Sequence, residues 1–358
     1  MAVFYVLLLI PVLFQHIEIK GLHIDYEKKN QRLITFFFIF LTILIAFRGD
    51  SIGNDTRNYI WLFSRAVRKS WTNIGRMQLE TGFSYYMKAL SMISDNPRFF
   101  LAISAVLVSA MIWPTYRRLT SDVSLTVVLF CTMSTFFMMF SGIRQMLAIG
   151  IGFLAYELTR SRRPFLFALA VLAAMQFHTS AFMLALLYPL YHAKITKKWL
   201  YVIVPVTLGL FVFNRPIFSV LASVMERYTR FDSSVVSTGA YMMIVLFSLF
   251  TAFAFVIPDE KLLDEETIGL RNILLLSLLL QMFAPLHTLA MRMNYYYVIF
   301  VPLLMPKIVE ASSVRWRQVA AVGRNVMVVF FLAYFFLTAT QGSHLHVAPY
   351  HFFWETGI

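Results

Sequence analysis

Long apolar segments recur along almost the whole chain, and this pattern restricts the fold more than any other feature of the sequence. Hydrophobic residues make up 59% of the chain and charged residues only 14%, whereas soluble domains carry about 25% charged residues. We therefore predict an all-α, polytopic membrane protein with about 12 transmembrane helices and no separate soluble domain, so that residues 1–358 form one membrane domain. Several segments are shorter than the ~20 residues of a perpendicular span, so one or two can be re-entrant. The segments lie at about 2–15, 33–47, 99–115, 123–140, 143–158, 164–178, 180–192, 199–213, 239–257, 271–287, 293–306 and 325–340.

The basic residues between the segments predict the orientation in the membrane. The short loops that follow every second segment, such as "TRSRRP" at 159–164 and "AKITKK" at 193–198, hold most of the Lys and Arg of the short loops. Such loops face the cytoplasm. The loop 48–98 and both termini are then outside. The net charge of +13 fits this arrangement and does not call for nucleic acid as a partner.

Arginine outnumbers lysine on the predicted outer side, and the densest polar motif lies there. After the second segment the chain reads "FRGDSIGNDTRNYIWLF", in which Arg48 and Arg57 alternate with Asp50 and Asp55. The arginine fork suits phosphate oxygens better than the ammonium of lysine does. An anionic, phosphorylated ligand is one explanation. The alternatives are arginines that reach lipid headgroups and a folded cap whose charges pair with each other, Asp50 with Arg48 in particular.

Three further polar residues are predicted at the same side. Glu80, in "LETGFSYYMKAL", precedes an amphipathic stretch at 82–93, and Arg144, in "SGIRQMLAIGIGFLAYE", opens the fifth segment. His178 lies in "MQFHTSAF" between the sixth and seventh segments. An ionisable residue at membrane depth indicates function, and a helix start favours an anion. The alternatives are a buried ion pair for Arg144 and a packing role for His178.

Additional cations and aromatic rings complete the set of candidate site residues. Arg292, in "MRMNYYYVIF", opens the eleventh segment as Arg144 opens the fifth, and two such arginines can hold one diphosphate. Arg230 adds positive charge from the loop before the ninth segment. The rings of Tyr59, Tyr295 and Tyr296 suit sugar stacking or an interfacial belt.

Other site chemistries find little support. The spacing of His344 and His346 resembles that of metal ligands, but no third ligand is evident and no metal is predicted. The single cysteine, Cys131, excludes an intrachain disulfide and a thiolate metal cluster. The sequence contains no P-loop, no dinucleotide fingerprint and no serine hydrolase elbow. No cofactor is predicted.

These motifs together resemble the EpsG family, which is grouped with Wzy-type polymerases of O-antigen, capsule and exopolysaccharide. The resemblance rests on "FRGDSIGNDTRNYIWLF" with "ETGFSYYMKAL", on "SGIRQMLAIGIGFLAYE" and "FHTSAF", and on the tyrosine run that follows Arg292. It implies a GT-C-like glycan polymerase in the bacterial inner membrane. It also implies undecaprenyl-diphosphate-linked oligosaccharides as substrates, and a flippase and a chain-length regulator as protein partners.

The resemblance assigns roles to the candidate residues. Arginines at positions 48, 57, 144, 230 and 292 would neutralise the leaving diphosphate. The proton acceptor would be Asp55, Glu80 or His178, in that order. Two other classes stay open. A flippase would need a cationic cavity through the bilayer, and a membrane acyltransferase would need a catalytic histidine near an arginine.

Overall fold

Helices form wherever the apolar segments run, and they extend into polar sequence as well. The computed structural model describes residues 2–17, 25–224, 238–340 and 345–355. Within these residues the regular elements are α-helices and short 3₁₀ helices, which agrees with the predicted all-α class. The α-helices are α1 Ala2–His16, α2 Tyr26–Ala46, α3 Thr56–Arg68, α4 Thr81–Ser91, α5 Pro97–Leu119, α6 Val123–Thr132, α7 Ser134–Ser141, α8 Ile143–Arg160, α9 Pro164–Met175, α10 Leu187–Tyr191, α11 Leu200–Val212, α12 Asn214–Val224, α13 Thr238–Val256, α14 Glu265–Gln281, α15 Thr288–Val298, α16 Val301–Ser313 and α17 Arg317–Thr340.

The twelve predicted spans are more than the described helices support. Four helices are long and apolar enough to cross a bilayer, namely α2, α5, α13 and α17, and the number rises to six if two bent helix pairs each count as one span. The segment 293–306 illustrates the difference, because it divides into α15 and α16. The helix α8 has 18 residues but carries Arg144, Glu157 and Arg160. A count of apolar segments therefore includes buried helices and half-spans as well as helices that cross the whole bilayer.

Two helices begin earlier than the apolar pattern predicts. Asp25 precedes α2 and its side chain accepts a hydrogen bond from the amide of Glu27. Asp264 caps α14 in the same way through the amide of Thr267. A capped first turn is polar because its free N–H groups favour acidic partners. Hydropathy alone therefore places such helix starts too late.

The chain divides into two compact units. Unit 1 comprises Met1–Ala185 with Arg324–Ile358, and unit 2 comprises Leu186–Gly323. In unit 1, α2 packs on α5, α8 packs on α5 and α9, and α1 packs on α2 and α6. In unit 2, α14 packs on α10, α13, α15 and α16.

One end of unit 1 gathers loops that the charge pattern placed on a common side. The Asn30 side chain donates to the carbonyl of Ser121 at 2.8 Å, and Arg324 pairs with Asp122. The start of α2, the turn after α5 and the first half of α17 therefore meet there. This grouping agrees with the predicted alternation of loops, although which membrane side each end faces stays a prediction.

Unit 2 contains a continuous buried polar network. The Ser277 hydroxyl lies 2.8 Å from Asn294 Oδ1, the Asn294 amide donates to Gln281 at 2.9 Å, and the Gln281 amide donates to the carbonyl of Ala240 at 3.2 Å. A buried network in which each member has a partner fixes the register of the helices that contribute to it. It therefore holds α13, α14 and α15 in one arrangement.

Candidate functional site

The loop between α2 and α3 lies against the end of α7, and glycine makes that contact possible. Gly53 has φ +84, and a Cβ at this position would lie 2.2 Å from the carbonyl oxygen of Phe140. The Thr56 hydroxyl also lies 3.3 Å from that oxygen. A left-handed backbone and a close approach both favour glycine. The loop is thereby held where Asp55, the residue before α3, lies beside Ser141.

Arg48 holds this loop from inside and is not exposed to a ligand. Its side chain is 0% exposed, its Nε donates to the Thr56 hydroxyl at 3.2 Å, and its Nη1 donates to the carbonyl of Ile45. Burial lowers the pKa of Arg48 to about 10. The structure therefore gives Arg48 a structural role in place of the predicted contact with diphosphate.

Asp50 pairs with a different arginine from the one predicted. Its carboxylate forms an ion pair with Arg98, at the start of α5, and Arg98 Nη1 also donates to the carbonyl of Arg48 at 2.8 Å. The expected pairing of Asp50 with Arg48 is wrong, because the Arg48 side chain turns inward to Thr56 and Ile45. Proximity in the sequence predicted Arg48 as the partner of Asp50. The packing of the helices instead places Arg98, at the start of α5, beside it.

Residues 345–355, here named the C-terminal strap, lie across the same loop. Main-chain hydrogen bonds run from Gly49 to His351 at 2.9 Å, from Gly53 to His346 at 3.1 Å and from Phe353 to Phe47 at 3.0 Å. The sequence had suggested only weak metal spacing for His346, and His344 lies outside the described residues. The strap is a feature that sequence reasoning missed, since no local pattern links residue 351 to residue 49.

Glu80 connects three sequence-predicted regions at this end of unit 1. Its Oε2 accepts from Arg144 Nη1 at 2.7 Å, and its Oε1 accepts from the amide of Thr179 at 3.2 Å. His178 Nδ1 lies 3.3 Å from the same Oε1. We name Glu80, Arg144, His178 and Thr179 the Glu80 cluster. The predicted alternative of an ion pair for Arg144 is present, and its partner is one of the three candidate proton acceptors.

A second close approach of backbone brings Glu80 to His178. The amide of Phe83 donates to the carbonyl of Gln176 at 3.0 Å, and a Cβ on Gly82 would lie 2.6 Å from the Gln176 Cβ. The start of α4 is thus pressed against the turn after α9. Gly82 was not singled out from the sequence, although it stands in the quoted "ETGFSYY" motif.

The contacts of Glu80 determine its protonation. Burial by itself raises the pKa of this carboxyl, but His178 and the Arg144 guanidinium outweigh burial and hold the pKa well below its usual range. Glu80 therefore remains ionised at neutral pH and is a weak proton acceptor.

Asp55 and Tyr59 lie beside the Glu80 cluster. The amide of Arg144 donates to the Tyr59 hydroxyl at 3.4 Å, and the amide of Asp55 donates to the Ser141 hydroxyl at 3.3 Å. The Asp55 carboxylate does not cap α3, and its one side-chain hydrogen bond in the described part of the chain is with Ser141, at 3.5 Å. The Asp55 carboxylate is the least engaged of the predicted acids at this end. The Tyr59 ring is buried, and burial raises the pKa of its phenol.

The remaining predicted residues are not part of this arrangement. Arg57 is exposed in the first turn of α3, and Arg292 is exposed on α15 in unit 2. Tyr295 and Tyr296 are 3% and 1% exposed, so their rings are buried and present no face to a sugar. Arg230 lies outside the described residues.

Substituting Gly53 tests whether the loop geometry matters for function. We expect Gly53→Ala to abolish the cellular activity, because the new Cβ meets the Phe140 carbonyl and φ +84 strains any L side chain. Gly75→Ala is the matched control, since a Cβ there has nothing within 4 Å. Product formation at equal protein level is the measurement. Normal product from Gly53→Ala would show that the loop position is not required.

Comparison with known proteins is informative at the level of family. The sequence model of the EpsG family matches residues 31–352, a range that includes the whole Glu80 cluster and the loop before α3. No curated protein matches the chain, and neither does any solved structure.

Proposed function

The chain belongs to the EpsG family, a group of membrane proteins linked to exopolysaccharide biosynthesis, and from this premise we propose that it is a Wzy-type polymerase. It joins oligosaccharide repeat units carried on undecaprenyl diphosphate at the outer face of the bacterial inner membrane. A hydroxyl of one repeat unit attacks the anomeric carbon of another, and the lipid diphosphate leaves. The GT-C-like scaffold, the outer location and the flippase and chain-length partners belong to this proposal.

The observation that carries the proposal is that Asp55, beside Ser141, and the Glu80 cluster lie at the same end of unit 1, since Ser141 is three residues before Arg144. The Arg144 side chain is 29% exposed there, so it can contact a bound anion. The leaving diphosphate develops charge that a preorganised cation stabilises. The attacking hydroxyl loses a proton that a nearby carboxylate accepts. The Arg144 cation and the weakly bonded Asp55 carboxylate at the same end match these two requirements.

The contacts of the three acceptor candidates separate their roles. Asp55 remains the first choice, because in the described part of the chain its carboxylate has fewer hydrogen-bond partners than that of Glu80. Glu80 is displaced from the second place, since an ionised carboxylate with a strongly lowered pKa takes up a proton poorly. We assign Glu80 to holding Arg144 and His178 in position. His178 becomes the second candidate.

The diphosphate ligands are assigned with Arg144 first and Arg57 second. Arg57 is exposed two residues after Asp55, in the first turn of α3. Arg48 is withdrawn from this role because it is buried. The contributions of Arg292 and Arg230 stay predictions from the sequence.

A deletion strain whose lipid-linked glycans are sized tests the proposed function. We expect single repeat units to accumulate on the lipid at the outer face, because assembly continues while polymerisation stops. Repeat units that never reach the outer face would indicate a flippase. Polymer of normal length that has lost its acyl groups would indicate an acyltransferase. Either of these two results would contradict the polymerase proposal.

A further inference from the structure

One face of α3 carries cations and an aromatic ring in a single line. Arg57, Trp61, Arg65 and Arg68 follow each other at intervals of four, four and three residues, which places them on one side of the helix. We name these four residues the α3 stripe. It extends for about 16 Å at 1.5 Å per residue. The stripe begins in the first turn of the helix that Asp55 precedes.

The charges of the α3 stripe are not balanced by the protein. From Thr56 to Leu79 the sequence has five cations, which are the three stripe arginines with Lys69 and Arg76, and it has no Asp or Glu. Within the described residues none of the five forms an ion pair with an acid. Like charges three or four residues apart, such as Arg65 with Arg68 and Lys69, destabilise a helix. An external anion would relieve this repulsion.

The aromatic rings beside these cations are open to solvent. Trp61 is 52% exposed, and the Arg65 guanidinium lies 4.6 Å from the centre of its ring. Trp71 and Tyr85, both exposed, stack on each other at 6.0 Å. An exposed indole offers a flat apolar surface to the C–H face of a sugar ring. Cations together with flat rings therefore suit a charged sugar chain better than a small anion.

The burial of the opposite face favours a soluble polymer over a lipid surface. A helix that binds the membrane surface buries its apolar face in the lipid. The apolar face of α3, which includes Leu62, Phe63 and Ala66, is instead buried inside unit 1, where α3 packs on α4 and α5. The stripe, on the other side of the helix, thus faces away from the core of the unit.

We infer that the α3 stripe binds the sugar chain of the substrate or product, and that this chain is anionic. This inference rests on the proposed function and narrows it, because it assigns acidic groups, such as uronic acid carboxylates, to the repeat unit. A chain whose reacting end lies at Asp55 would extend along α3, with its acids on Arg65 and Arg68 and one ring on Trp61. Neutral repeat units would gain nothing from the charges of Arg65 and Arg68, which have no ion-pair partner among the described residues.

Equilibrium binding to the purified full-length protein tests the inference without polymerisation. The protein is placed in nanodiscs of zwitterionic lipid, and the probes are oligogalacturonate and a neutral malto-oligosaccharide of equal length. We expect oligogalacturonate to bind at least tenfold more tightly at low salt, and its affinity to fall as salt screens exposed charges. Equal affinity for the two probes would overturn the inference.

Variants of the stripe show where the probe binds. We expect Arg65→Gln with Arg68→Gln to weaken oligogalacturonate binding roughly fivefold to tenfold, as exposed charge pairs are individually weak. The double variant Arg65→Lys with Arg68→Lys preserves both charges and should retain most of the affinity for oligogalacturonate. Arg315→Gln is the matched control, because Arg315 also lies over an exposed tryptophan, Trp316, in unit 2. Unchanged binding by the double Gln variant, at an unchanged Tm, would overturn the inference.

Two further outcomes separate this inference from its rivals. If oligogalacturonate does not bind, while binding to phosphatidylglycerol vesicles is lost in the double Gln variant, the stripe is a lipid contact and the inference fails. If the deletion strain accumulates single repeat units but no acidic probe binds, the inference fails and the polymerase proposal stands. Acidic probe binding without such accumulation would leave the stripe as a glycan site on a protein of another function.

Discussion

Asp55→Asn is expected to lower the polymerisation rate by ~10²–10⁴-fold, which is the usual contribution of a general base. The amide keeps the size of the side chain and its position beside Ser141, 3.5 Å away, but it cannot accept the hydroxyl proton. Binding of the lipid diphosphate should therefore persist. Purified enzyme with lipid-linked repeat units separates the two quantities, because turnover and substrate binding can be measured on the same preparation.

Asp50→Asn is the matched control for this prediction. Asp50 lies in the same loop, but its carboxylate pairs with Arg98 and is half exposed, at 51%. Exposed ion pairs contribute about 0–1 kcal/mol, so turnover should remain near that of the native enzyme. If Asp55→Asn polymerises at the native rate, Asp55 is not the base. If it no longer binds the lipid diphosphate, Asp55 positions the cations and moves no proton.

Arg144→Ala is expected to cost about 2–5 kcal/mol in binding or in the transition state, or roughly 30-fold to 4,000-fold. The loss has two parts, because the guanidinium faces the proposed diphosphate and also pairs with Glu80 at 2.7 Å. Arg144→Lys should impair polymerisation as well, since a single ammonium cannot replace the planar fork. Chain length of the polymer at equal protein level is the measurement.

Arg118→Lys provides a matched comparison for Arg144→Lys. Arg118 also forms an ion pair with a glutamate at close range, 2.8 Å from Glu157. That pair lies at the other end of α5 and α8 from the Glu80 cluster. The change should therefore leave chain length unaltered. Long polymer from Arg144→Ala would remove Arg144 from the site, and equal losses in both lysine variants would indicate a general effect of replacing arginine pairs.

Local pattern predicted the members of the site better than it predicted their partners. Glu80, Arg144 and His178 were singled out separately, because each is a polar residue beside an apolar segment. Their meeting joins residues 64 and 99 positions apart, through Arg144 with Glu80 and Thr179 with Glu80. The period of apolar residues along a helix does not indicate which residues so far apart in the sequence come into contact. Thr179 was overlooked although it follows His178 directly, because the amide and the hydroxyl that it donates to Glu80 carry no charge.

The number of spans shows the same limit of sequence patterns. Apolar segments predicted twelve spans, whereas four helices in the described chain, or six with the bent pairs, have the length and composition to cross a bilayer. Hydropathy measures the free energy of transferring a side chain out of water. A helix buried in protein is therefore as apolar as a helix buried in lipid, and hydropathy does not separate the two. Bends between consecutive helices, as between α11 and α12, depend on the neighbours against which they pack.

The sequence by itself determined that this is an all-α membrane protein of the EpsG family, and that its polar motifs lie at segment ends. These properties follow from composition, from the period of apolar residues and from short motifs, all of which are local. Only the tertiary structure decided that Arg48 is buried, that Asp50 pairs with Arg98 and that the C-terminal strap covers the loop before α3. Those outcomes depend on which helices pack together, because packing brings distant residues within hydrogen-bond distance and removes neighbouring ones from solvent.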